Sequence, residues 1–114
     1  MFIDFTKIQV YVKPGGTDMR KAINGLSIIA QQEMELDPLS GSLFLFCNRT
    51  RRLLKALYWD RNGFCLWQKR LEKHRFPWPE TEQTAREISE DQFRQVLDGI
   101  DFWHAHEELK YSEV

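Results

Sequence analysis

A chain of 114 residues, 42% apolar and 29% charged, with four Trp, eight Phe and a net charge of −1, is expected to bury one core without metals or disulfide staples. No apolar run approaches the roughly 20 residues of a membrane-spanning helix, and the start, MFIDFTKIQVYVKPGG, lacks the basic-then-apolar layout of a signal peptide. Cys47 and Cys65 alone make a poor disulfide framework and point to reduced thiols in a cytoplasm.

Residues 3–12 read as a first strand, with Ile8, Val10 and Val12 alternating against Lys7, Gln9 and Tyr11. Pro14-Gly15-Gly16 stops it. Thr17 stands where a helix N-cap belongs and Asp18 adds negative charge to a first turn. Met19, Ala22, Ile23, Leu26, Ile29 and Ala30 then recur at helical spacing, which predicts a helix over 18–36 that ends at Asp37-Pro38. Gly25 within it costs about 1 kcal/mol relative to Ala, so close packing against a neighbour is expected there.

Residues 39–42 form a turn and 43–47 a short apolar strand. A polar, basic connection over 48–52 leads into strands 53–59 and 64–71, joined at Asn62-Gly63, the strongest short-range hairpin signal. Residues 76–78 are a candidate edge strand kept short by Pro77 and Pro79, and 80–87 read as loop. Ser89 opens a second helix, with Gln92 as capping-box partner, Phe93, Val96, Leu97 and Ile100 as apolar face, and Gly99 to end or bend it. The fold class is therefore α+β: one antiparallel sheet with a central β-hairpin, packed by two helices. A single domain over 1–103 is expected, with 104–114 a polar tail or helix extension.

Charge is distributed unevenly. Residues 1–48 carry −1, residues 49–75 carry +7, and residues 76–114 carry −7. The basic part either meets a polyanion or is neutralised by the acidic part within the fold. With Asn62-Gly63 as the turn residues, Arg61 pairs with Phe64, Lys55 lies opposite Arg70, Ala56 opposite Lys69 and Tyr58 opposite Trp67. Like charges opposed across a sheet are unfavourable, so the Lys55/Arg70 pair calls for a bound anion or nearby acids. Arg49, Arg51 and Arg52 before the hairpin, and Lys73, His74 and Arg75 after it, flank its open end, where a β-ribbon can sit against phosphates. Tyr58, Trp59 and Trp67 either stack on unpaired bases or, more ordinarily for aromatics at strand spacing, pack in the core.

Nothing points to catalysis or to a cofactor. Asp18, Asp37, Asp60 and Asp98 are explained by caps and turns, and Asp4 and Asp101 show no sign of joining them around a metal. His104-Ala-His106 with Glu107-Glu108 is too slight a pattern for a metal site. KPGGTD is too short to cradle a phosphate, and neither cysteine has an adjacent His to activate it.

The stretches GGTDMRKAINGL, DPLSGSLFLFCNRTRRLLKALYWDRNGFCLWQKRLEKHRFPWP and LDGIDF resemble the TnpB-type accessory protein of the insertion-sequence-sixty-six group of bacterial transposable elements, and not the RNA-guided nucleases that share the name TnpB. The likeness runs from about residue 10 to 102, and YWDRNGFCLWQKRLEKHRF is its most specific part. It implies a bacterial, cytoplasmic helper of transposition, encoded beside a separate transposase, with no catalytic residues to carry over. The partners it implies are transposon DNA, the cognate transposase, or both, and no membrane. A homodimer through an apolar edge strand is left open. The expected nucleic-acid contacts are Arg49, Arg51, Arg52, Lys55, Lys69, Arg70, Lys73 and Arg75, with Tyr58 and Trp67 as stacking candidates. Arg20 of the TDMR turn is a further candidate, or an ion-pair partner of Asp18. The alternative is a protein-interaction module that docks on the transposase without touching DNA, using acids such as Asp91, Asp98 and Asp101.

Overall fold

The computed structural model describes residues 8–80 and 86–99. The elements run β1 (Val10–Val12), α1 (Ile23–Gln32), β2 (Leu43–Cys47), β3 (Leu53–Asp60), β4 (Gly63–Arg70), β5 (Arg86–Ile88) and α2 (Glu90–Leu97). The strands form one sheet in the order β4-β3-β2-β1-β5. The α+β class expected from the sequence is the one observed, with two helices on a mostly antiparallel sheet. One pairing is parallel: α1 returns the chain across the sheet, so β2 runs alongside β1 with Val10 beside Leu43 and Val12 beside Leu45. The hairpin is central along the chain and lies at one edge of the sheet.

β2 fixes where the core sits. Its five residues, LFLFC, are all buried, as an uninterrupted apolar strand covered on both faces should be. Leu43, Leu45 and Cys47 face one side with Val10, Val12, Leu54 and Ala56, beneath Phe93 and Val96 of α2 and the buried Phe76 and Trp78. Phe44 and Phe46 face the other side with Leu57, beneath Leu26, Ile29, Ala30 and Met34. Each fully buried Phe stabilises the fold by about 1.5–3 kcal/mol.

Several expectations are corrected. α1 is shorter than the predicted 18–36. Thr17 is not its cap, because the Asp18 carboxylate accepts the Arg20 N–H at 3.0 Å and holds residues 18–21 in a non-helical turn. At the other end Glu35 takes a left-handed φ of 57°, so α1 stops before Asp37-Pro38 and Leu36 folds back onto the core. Packing at Gly25 is local: a Cβ there would sit 3.0 Å from the Lys21 Cβ.

Residues 76–78 are not a strand. They are a buried strap, with Phe76 N–H on the Arg51 carbonyl and Trp78 Nε1–H on the Lys13 carbonyl at 2.9 Å. The strand instead is β5, which pairs antiparallel with β1. α2 begins as read: the Ser89 side chain accepts the Gln92 N–H, and Gln92 returns the bond. Gly99 follows it with a φ of 81°. Ile100 and the domain boundary expected at 103/104 lie outside the described residues.

The hairpin register differs by two residues from the sequence reading. Asp60 pairs with Gly63, the loop is Arg61-Asn62, and Arg61 carries a φ of 52°. A slip of two keeps every side chain on its face, and packing selects among such registers. Here Trp59 meets Phe64 edge to face (5.1 Å, 78°) and Leu57 meets Leu66 under α1. Lys55 accordingly faces Gln68, Ala56 faces Trp67 and Tyr58 faces Cys65, and the like-charged Lys55/Arg70 pair does not form.

Candidate nucleic-acid interface

The open end of the hairpin is organised by Asn48, a residue the sequence reading passed over. Its Oδ1 accepts the Arg52 and Leu53 N–H groups (2.9 and 3.0 Å), and its carbonyl accepts the Arg51 N–H. Such a side-chain-to-backbone bond is the ordinary work of Asn in turns, and it was legible in Asn48-Arg49-Thr50. Arg51 completes the turn with a left-handed φ of 65°. Gly16 lets the preceding loop pass closely: a Cβ there would stand 2.9 Å from the Arg49 Cα. The returning strand is tied to the same turn, with Leu71 N–H on the Arg52 carbonyl and Phe76 N–H on the Arg51 carbonyl. The two basic groups that flank the hairpin in sequence are thus brought together.

The side chains there divide into two kinds. Lys55, on β3, is buried at 8% exposure, and its Nζ donates to the Met19 and Lys21 carbonyls (2.9 and 3.0 Å). Lys69 Nζ donates to the Leu97 carbonyl at the C-terminal end of α2 (3.0 Å), where a cation also meets the negative end of the helix dipole. Arg51, only 15% exposed, donates to the Trp78 carbonyl and pairs with Glu80. These three cations hold the fold together.

The other five are turned outward. Arg49, Lys73 and Arg75 are exposed and have no ion pair or hydrogen bond among the described residues. Arg52 makes one long side-chain bond, to the Glu72 carbonyl at 3.3 Å. Arg70, 71% exposed, meets the Glu72 carboxylate at 3.1 Å; an exposed pair of this kind contributes about 0–1 kcal/mol and leaves the guanidinium available. Tyr58 and Trp67 lie half-buried against the core on the α2 side of the sheet.

Arg20 takes the ion-pair reading. Its guanidinium forks onto Asp18 (2.7–3.1 Å), and that hydrogen bond, first among the causes, holds the Asp18 carboxyl down to about 2. Among the described residues no group of three or more His, Cys, Asp and Glu gathers as a metal site, and no helix is long and apolar enough to cross a membrane.

Both cysteines are thiols. Burial pushes the Cys47 thiol up to about 12, outweighing the nearby Arg51. A thiolate is the nucleophile in alkylation, so iodoacetamide should leave Cys47 unmodified in the native protein and modify it once the chain is unfolded, as mass spectrometry would read. Because the folded value is raised, Cys47 favours the folded state below the unfolded value and that contribution fades as pH rises from there toward 12. Rapid native labelling of Cys47 would contradict the packing described.

Residues 8–107 match the family described as IS66 Orf2-like protein. The chain belongs to that family. Members are accessory proteins of transposition in IS66-type insertion sequences, which agrees with the resemblance carried by the hairpin text. Two relatives come from Sinorhizobium fredii (strain NBRC 101917 / NGR234). Uncharacterized protein y4hO is 39% identical over 107 residues, covering 94% of this chain and 93% of its own. Uncharacterized protein y4jC is 30% identical over 96 residues, covering 84% and 80%. No solved structure matches the chain.

Proposed function

We propose that this IS66 Orf2-like protein is a cytoplasmic, non-catalytic accessory factor that contacts DNA phosphates through Arg49, Arg52, Arg70, Lys73 and Arg75. The observation that supports it is the division of labour at the hairpin's open end. Three cations of the basic segment are consumed by backbone carbonyls and Glu80, while the five at the open end are left outward, with Glu72 the one carboxylate paired to any of them among the described residues. Cations grouped without matching carboxylates raise the local positive potential and draw a polyanion. The reading is tested by duplex-DNA affinity as a function of salt.

A second reading has its own support: Glu90, Asp91 and Asp98 of α2 and its end are exposed, and among the described residues only Glu90 is paired, with Arg94. Such a surface suits a basic patch on the transposase. Co-purification with the transposase in nuclease-treated extract, lost on neutralising Asp91 and Asp98, would favour docking over DNA contact.

A further inference from the structure

β4 is an outer strand of the sheet, paired among the described residues only with β3. In an antiparallel ladder, alternate residues turn both backbone groups toward the same neighbour. Leu71 N–H donates to the Arg52 carbonyl, so counting back by twos makes Lys69, Trp67, Cys65 and Gly63 the residues bonded to β3. Phe64, Leu66, Gln68 and Arg70 therefore aim N–H and C=O away from the sheet.

Natural edges are usually blunted by shortness, Pro, a bulge or inward charge. The opposite edge, β5, is three residues long. β4 has eight residues, no Pro and an unbroken register with β3, and its charge is confined to Lys69 and Arg70 at its end. Its centre is half-buried and apolar: Phe64, Cys65, Leu66 and Trp67.

We propose that β4 pairs with β4 of a second copy of this chain, antiparallel about a two-fold axis at Leu66. Charge selects both the occupant and the direction. In this register Leu66 meets Leu66 of the second copy, Phe64 meets Gln68, Cys65 meets Trp67, and Arg70 meets Asn62. The two cations of each strand then lie beside the uncharged Asn62 and Gly63 of the other. Parallel pairing would oppose them to their own copies, which is unfavourable. An acidic peptide would find no charge over residues 64–68. Phe64, Leu66 and Gln68 of the two copies form roughly six new backbone bonds.

One consequence rests on the proposed phosphate contact, although the pairing does not. The axis separates the two Arg70 residues by about 27 Å at roughly 3.4 Å per residue, with Lys73 and Arg75 following each of them in sequence. The cationic ends would then stand close to one turn of B-DNA apart, about 34 Å.

The test uses the full chain without DNA, in analytical ultracentrifugation combined with hydrogen exchange. The expected result is a dimer in which the Phe64, Leu66 and Gln68 amides are protected. Gln68→Pro, which removes an outward N–H and leaves the β3 ladder intact, should give a folded monomer. A protein monomeric up to its solubility limit overturns the proposal, and so does a dimer indifferent to Gln68→Pro or one with those amides unprotected. Should Gln68→Pro fail to fold, exchange on the wild-type dimer decides alone.

Discussion

Lys55→Met should lower the free energy of unfolding by about 2–3 kcal/mol, read as a reduced midpoint in denaturant, without altering the DNA affinity of the folded protein. Methionine keeps the length of the side chain and its packing under α1, so the loss isolates the terminal amine. That buried amine donates to the Met19 and Lys21 carbonyls, and a hydrogen bond from a charged donor contributes roughly 1.5–3 kcal/mol. The expense of burying the amine is relieved at the same time, which keeps the net loss below the sum of the two. The loop over 17–22 should loosen first, since those bonds pin it to β3. Unchanged stability, or weakened DNA binding by a folded variant, would contradict the structural role assigned here.

The opposite signature is expected from Arg49→Gln, Lys73→Gln and Arg75→Gln combined. None of the three makes an ion pair or hydrogen bond among the described residues, so the melting temperature should stay close to that of the parent. Each phosphate contact contributes about eightfold in affinity at 0.1 M salt relative to 1 M, so losing three should weaken duplex binding about 500-fold. Arg51→Gln is the informative control, because Arg51 is tied to Trp78 and Glu80 and its loss should appear in stability. A triple variant that binds as the parent does would remove the phosphate contact from the account while leaving family membership intact.

How much of this was legible in the sequence depends on which physical effect decides each element. The capping box at Ser89 and Gln92 and the apolar run 43–47 are local signals, and both elements formed where they were read. Helical periodicity continues through Met19 and Ala22 and predicts a longer α1, while the Asp18–Arg20 turn and the reach of Lys55 from a distant strand decide otherwise. The hairpin was recognised, yet Asn-Gly implied a register that the contacts of Trp59 with Phe64 and of Leu57 with Leu66 override. The polar text over 80–87 reads as loop, and β5 escapes it because its pairing with β1 joins residues far apart in the chain.

At the site, net charge by segment located the basic surface but not its partition. Lys55, Lys69 and Arg51 look like Arg52 and Arg70 in a sequence. Only the positions of the Met19, Lys21, Leu97 and Trp78 carbonyls separate cations that brace the fold from cations left outside. Within the described residues the acidic C-terminal third supplies one carboxylate to the basic segment, Glu80 to Arg51.

If the five outward cations hold phosphate, the salt dependence of duplex binding by the unmodified protein measures it directly. Five contacts per bound protomer require log affinity to fall against log salt with a slope of about −4.5 for each protomer on the duplex. A slope near zero, or no retention of DNA at low salt, would contradict it.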